Sequence, residues 1–283
     1  MKHLKVGEYD CFLLPDGLFR LDGGSMFGVV PKALWNNVFP ADGQNRILLA
    51  STALLVAGKG IRLLVEGGAG DVFRGDTKLL KIYDIESTGT MDDELRKAGY
   101  TAEDITHVSY THLHWDHAGN ACRFNDSVGF VPRFPLARYI VQKGEWEMAL
   151  SGHPANRGSY MPETLAPLEA AGLLDFAHGD HSLNSDISFR VTGGHTEHHQ
   201  VMMLRSGNDR LIFWGDLIPT SKHAHIPHIM AYDRLPLQTY DRKKQLLEET
   251  CAEGYISAFP HDPEPSFARI RFDGRRYSSS PIQ

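Results

Sequence analysis

Residues 111–119 read Thr-His-Leu-His-Trp-Asp-His-Ala-Gly, which places the imidazoles of His112, His114 and His117 and the carboxylate of Asp116 within six positions. Imidazole nitrogen and carboxylate oxygen are the donors that zinc takes, and iron, cobalt and manganese accept them as well. His112 and His114 stand two apart, so an extended backbone points both to one side; a helix would need ligands at i and i+4. A turn after them sends Asp116 and His117 to a neighbouring point, so one loop can serve two adjacent cations.

Three further donors share one context. His195 follows the run FRVTGG, Asp216 follows RLIFWG and His261 follows YISAFP. Each lies just past an apolar β-run, and ligands of α/β sheets collect at the carboxyl edges of the strands. Four strand ends therefore offer seven donors to one edge: His112, His114, Asp116, His117, His195, Asp216 and His261.

The elements that must position them are read from periodicity and punctuation. Residues 9–21 read as two short strands around a Pro-Asp-Gly turn. Residues 22–46 form a long irregular segment, and 47–57 with 61–66 form a hairpin. Helices are expected at 76–83, 90–98, 143–150, 163–171 and 236–253. Leu237, Tyr240, Leu246, Leu247, Thr250 and Cys251 lie near one face of the last helix. Strands are expected at 105–111, 138–142, 187–193, 201–205, 210–214 and 255–259, with a frayed tail from Ser278. No linker or short repeat interrupts this order, so residues 1–283 read as a single domain.

Composition narrows the partners. The formal net charge is −6, and no Lys/Arg run exceeds three residues, at Arg242-Lys243-Lys244. That disfavours nucleic acid and anionic membranes as partners and leaves a small molecule as the expected substrate. No apolar stretch approaches the roughly 18–20 residues of a membrane span. Three scattered cysteines, Cys11, Cys122 and Cys251, without a leader-like start, suit reduced thiols and a cytoplasmic setting.

The order HxHxDH, His, Asp, His resembles the signature of the metallo-β-lactamase superfamily, from Asp16-Gly17 to His261. The resemblance implies an α/β fold, a four-layer αβ/βα sandwich. It also implies two divalent ions: His112, His114 and His195 at the first, Asp116, His117 and His261 at the second, and Asp216 bridging both. Spacings, together with Gly194-His195-Thr196, His261-Asp262-Pro263 and the stretch from Trp214-Gly215-Asp216 to Met230-Ala231-Tyr232-Asp233, are similar to quorum-quenching lactonases and methyl-parathion-hydrolase-like enzymes. The chain departs from that group at Pro219, where acyl-homoserine lactonases carry tyrosine, at Glu66-Gly67-Gly68 and at Gly193-Gly194. Relatives of this kind are commonly dimers, so the resemblance also implies a homodimer.

The expected activity is therefore that of a metallo-hydrolase of lactones or carboxylic esters, with phosphotriesters as side substrates. Zinc is the first expectation for its two ions, and a hydroxide bridging them is the expected nucleophile. Asp116 orients that nucleophile and passes a proton to the leaving group. A mononuclear-iron dioxygenase and a glyoxalase II-like thioesterase use related motifs and are the alternatives. Glu66, Thr111, His199 and Asp262 are candidates to orient the ligand histidines. Trp115, His223 and Tyr232 are candidates to touch substrate, and segment 24–39, with Phe27 and Trp35, is expected to form an apolar wall over the metals.

Overall fold

The structure is a computed structural model that describes residues 1–85 and 91–282. Two seven-stranded mixed sheets lie face to face, with helices on both outer faces, giving the expected αβ/βα sandwich. In spatial order the first sheet runs Lys2–Val6, Tyr9–Asp22, Arg46–Gly58, Ile61–Val65, His107–Ser109, Arg138–Gln142 and Leu174–Ala177. The second runs His181–Ser182, Ile187–Val191, Gln200–Ser206, Asp209–Phe213, Ile256–Ala258, Ala268–Phe272 and Tyr277–Pro281.

The period-two alternation of each strand assigns its residues to layers. In Arg46–Gly58, Leu54 and Val56 enter the core between the sheets, while Ala53 and Leu55 face outward onto helices. In Gln200–Ser206, Met202 and Leu204 point inward, and Val201 and Met203 pack on the far side against Leu246 and Leu247 of helix Pro236–Glu253. Helices Met91–Lys97, Lys143–Leu150 and Pro162–Ala170 cover the first sheet through Met91, Leu95, Trp146, Leu165 and Leu168. The helix expected at 90–98 begins at Thr90, which lies outside the described residues.

Four expectations are corrected. Residues 9–21 are not two strands around a turn. Tyr9–Asp22 is one strand pairing with Arg46–Gly58, and Pro15-Asp16-Gly17 is absorbed as a register shift between Pro15 and Leu18. The segment 22–46 holds two short helices, Gly23–Phe27 and Lys32–Trp35, the first capped by Asp22. The tail is not frayed, because Tyr277–Pro281 pairs antiparallel with Ala268–Phe272 through its backbone. In helix Pro236–Glu253, Leu237 and Tyr240 face solvent; the buried stripe is Thr239, Lys243, Leu246, Leu247 and Thr250. Lys243 takes a core position because its ammonium group donates to the carbonyls of His225 (3.1 Å) and His228 (2.8 Å). Among the described residues no helix is long and apolar enough to cross a membrane.

Candidate metal centre

Strand His107–Ser109 delivers an extended segment whose polar bonds fix every second residue. The Thr111 N–H donates to Glu66 Oε1 (2.8 Å), the Leu113 N–H donates to Glu145 Oε1 (3.1 Å), and the Thr111 carbonyl accepts from Gln200 (2.9 Å). Leu113 then turns into the core, and His112 and His114 share the opposite side. The chain closes into the short helix Trp115–Ala118, with the Ala118 N–H donating to the His114 carbonyl (2.8 Å), and this turn swings Asp116 and His117 beside the first pair.

The remaining donors arrive from the second sheet. Asp216 follows Gly215, whose φ of +52° belongs to the left-handed region that favours glycine. A Cβ there would also sit 2.6 Å from the Thr111 side chain. The His199 ring accepts the Asp216 N–H (3.0 Å), so this histidine, expected to orient a ligand imidazole, holds the aspartate backbone.

All seven expected donors converge, in three overlapping groups: His112, His114 and His195; His112, His117 and Asp216; Asp116, His117 and His261. Within each group the donor atoms lie within 4.8 Å of one another. Asp216 divides its carboxylate: Oδ2 is 3.3 Å from His195 Nε2, and Oδ1 is 3.3 Å from His117 Nε2 and 3.2 Å from His261 Nε2. Asp116 Oδ2 approaches the last two nitrogens at 3.8 and 3.6 Å. A tetrahedral ion with bonds of about 2.0–2.1 Å has donors about 3.3 Å apart, so the spacing fits a divalent metal.

The hydrogen bonding makes the same point. His117 Nδ1–H donates to Glu66 Oε2 (2.9 Å), His195 Nδ1–H to Asp233 Oδ1 (2.9 Å) and His261 Nδ1–H to the Ala50 carbonyl (2.8 Å). When neutral, each ring then offers a lone pair on Nε2, and the Nε2 atoms of His117 and His261 face each other at 3.1 Å. Two facing lone pairs repel unless a cation lies between them. His112 Nε2 and Asp216 Oδ1 are buried without a hydrogen-bond partner among the described residues, a penalty that a bound cation removes.

The two groups differ electrostatically. Burial, then the neighbouring imidazoles, hold His112 and His114 well below the usual imidazole range, so both are neutral donors. Burial opposes charge on His117 too, but the carboxylates of Glu66, Asp216 and Asp116 outweigh it and raise its pKa. Burial likewise works against the Asp216 carboxylate, and His117, His195 and His261 overcome it and hold its pKa well below the usual carboxylate range.

Glu66 and Thr111 orient the site as expected, with Thr111 Oγ1 3.1 Å from His112 Nδ1. Glu66 does so from a backbone with φ of +71°, uncommon for a residue with a side chain. Asp262 instead accepts from Ser221, at 3.0 Å from the backbone N–H and 3.1 Å from the hydroxyl. Two residues act here that sequence reasoning leaves without a role, Asp233 and Glu145. Glu145 binds Leu113, Thr196 and Tyr160 at once. Asp233 stands in the family-like stretch 230–233; nothing in the sequence marks Glu145.

Above the donors lies a cavity of about 110 Å³, lined by Leu21, Met26, Tyr83, Trp115, Met230 and Tyr232 with the metal-facing residues. Trp115 and Tyr232 are thus where substrate contacts were expected. Phe27, Trp35 and His223 are not. Phe27 is fully buried, stacked between Trp35 (5.5 Å) and His223 (4.6 Å). His223 lies between Thr220 Oγ1 (2.7 Å) and the Met26 carbonyl (2.9 Å). They back the wall, and its inner surface comes from Leu21, Met26 and Met230.

Residues 46–253 match the sequence profile of the metallo-beta-lactamase superfamily. An N-acyl homoserine lactonase from Bacillus thuringiensis is 27% identical over 173 residues, 60% of this chain and 61% of that protein. One from Rhizobium radiobacter is 28% identical over 125 residues, 42% of this chain and 43% of its own. The chain thus matches at most 61% of the length of these two relatives. A solved probable metal-dependent hydrolase from Staphylococcus aureus superposes with a TM-score of 0.90 at 25% identity, covering 99% of each chain. A dizinc quorum-quenching lactonase in complex with a product gives 0.77 at 24%, covering 100% of this chain and 97% of its own, a likeness of fold. The profile spans six of the seven converging donors, all but His261, and by that match and by the sandwich that gathers them the chain belongs to the metallo-beta-lactamase superfamily.

Proposed function

We propose that the protein is a metal-dependent hydrolase that opens small, uncharged lactones or carboxylic esters. The division of the Asp216 carboxylate between two nitrogen groups carries this reading, because one shared oxygen donor per group is what a paired-ion centre needs. His112, His114 and His195 would hold one ion, Asp116, His117 and His261 the other, with Asp216 between them. When bound, two divalent ions, zinc first, supply a Lewis acid for the carbonyl and acidify water toward a pKa of ~7.

The chain supplies the rest. Glu66 and Asp233 keep the donor nitrogens of His117 and His195 turned inward. Asp116, on the cavity surface, orients the attacking water and passes its proton to the leaving oxygen. Leu21, Met26, Met230 and Trp115 exclude water and contact the apolar part of the substrate. No lysine or arginine is among the described lining residues, which favours an uncharged ester over a carboxylate or phosphate. Relatives named N-acyl homoserine lactonases support the lactone class. Uncharged phosphotriesters of similar size are the side substrates.

Metal analysis of the purified protein together with a panel of lactones, esters, phosphotriesters and a persulfide tests the proposal. The expected result is two ions per chain and turnover of a lactone or ester. One iron per chain with oxidation of the persulfide would replace this reading by the dioxygenase.

A further inference from the structure

Tyr83 enters the cavity beside Asp116 and His261 from an element that supplies no metal-facing residue, the helix Thr77–Tyr83. Its ring is held on two sides, with centroids 4.9 Å from Trp115 and 5.4 Å from Phe73. Its backbone is held at both ends of the helix. Asp76 caps the start, accepting from the N–H groups of Lys78 (3.1 Å) and Leu79 (2.9 Å). At the other end Asp84 adopts a left-handed backbone with φ of +48°, and its carboxylate pairs with Arg20 (2.9 Å) and Arg46 (3.6 Å). Arg46 also donates to the Ile82 carbonyl (3.0 Å), one of the last carbonyls of the helix, which lack partners within it. Two cations and one strained residue therefore fix where a single phenol points.

That phenol is placed as a donor. Among the described residues no side chain hydrogen-bonds the Tyr83 hydroxyl, whereas the neighbouring Tyr232 is engaged by Ser25. A phenol keeps its proton at neutral pH, since it titrates near ~10 in water, so the hydroxyl has a hydrogen to donate.

We infer that Tyr83 is a further catalytic residue, whose hydroxyl donates a hydrogen bond to the leaving oxygen of the substrate on the Asp116 side of the cavity. The inference rests on the hydrolase reading above. In that reaction the oxygen of water bonds to the acyl carbon and the acyl–oxygen bond breaks. One proton of water ends on the leaving oxygen and the other in solvent. Tyr83 gains and loses nothing; its hydrogen bond strengthens as the leaving oxygen takes up negative charge, the moment at which a fixed donor lowers the barrier. The contribution is largest for a basic aliphatic alkoxide and small for p-nitrophenolate, which needs little help to leave.

The test compares Tyr83→Phe with the metal-loaded wild-type protein on two substrates that share an acyl group, an aliphatic lactone or alkyl ester and a p-nitrophenyl ester. Phenylalanine keeps the ring stack, so the melting temperature and the metal content per chain should not change. The expected result is a kcat roughly 10–100-fold lower on the aliphatic substrate with KM within about twofold, the size of one hydrogen bond to a developing charge. On the p-nitrophenyl ester the change should stay within about threefold. Equal losses on both substrates, or none on either, would overturn the inference while leaving the hydrolase reading intact. If the wild-type protein turns over neither substrate, the hydrolase reading falls and takes the inference with it.

Discussion

On the floor of the cavity, His117, His195 and His261 each have the outer ring nitrogen tied to an oxygen at 2.8–2.9 Å. On the wall, Leu21, Met26 and Met230 offer no such handle, and their positions come from backbone locking between two distant segments. The Ala231 N–H donates to the Ser25 carbonyl (2.8 Å), His223 reaches the Met26 carbonyl, and Gly28 packs so closely that a Cβ would meet the Ile229 carbonyl at 2.3 Å. The floor is specified by directional polar bonds between particular residue types, the wall by shape. One short run joins them: Met230 and Tyr232 line the wall, and Asp233 orients His195. A change in wall shape thus reaches a floor residue through four positions of sequence.

The comparison can be broken most forcefully at Asp216. Asp216→Ala should reduce bound metal from two ions to at most one and turnover to background, read by elemental analysis and a rate assay. His195→Ala should lose one ion and most activity while circular dichroism shows the chain still folded; full activity would remove His195 from the centre. Glu66→Gln should weaken metal affinity roughly 10–100-fold, measured by chelator competition, because Glu66 orients His117 without being one of the seven donors.

On the wall the expected effects are of another kind. Phe27→Ala should cost about 3–5 kcal/mol of unfolding free energy with KM little changed, since its ring is in the core. Met26→Ala, at a side chain that is likewise buried, should cost about 2–5 kcal/mol and should also raise KM for long acyl chains more than for short ones. If the two variants exchange KM behaviours, the division between inner and backing residues is wrong.

The subtlest test is at Lys243, behind the wall, where burial lowers the pKa to about 7. An unfolded lysine titrates near ~10.4, so between about pH 7 and 10.4 the unfolded chain binds the extra proton. The stability that this group contributes is therefore complete above the unfolded value and lost as pH falls toward 7. Lys243→Met should flatten the pH dependence in urea melts by at most about 1.4 kcal/mol per pH unit.

Legibility in the sequence divides along the same line. The seven donors can be read because metals accept few residue types and because strand ends bring them to one edge. The layers can be read because alternation in runs such as ILLASTALLVA is a local property. Phe27 and Trp35 read as an exposed wall because a Gly- and Pro-broken apolar segment gives no sign of what it packs against. The stacking partner of Phe27, His223, lies nearly 200 positions away. Tyr83 stays hidden because its placement depends on ion pairs from Arg20 and Arg46 on two other strands. Strand Tyr277–Pro281 escapes notice because the Ser-rich YSSSP has little apolar pattern and pairs through its backbone.

That last strand also bears on self-association. It forms one border of the second sheet, whose other border is the two-residue His181–Ser182. An open border strand displays unpaired N–H and carbonyl groups that another polypeptide can extend, and Pro281 removes one such donor. Proteolytic loss of residues 277–282 would bare Ala268–Phe272, with Phe272 already 53% exposed, and exchange a serine-rich border that ends in Pro281 for a more apolar template for cross-chain β-pairing. The trimmed protein should aggregate as its concentration rises, under conditions where the intact chain stays dispersed.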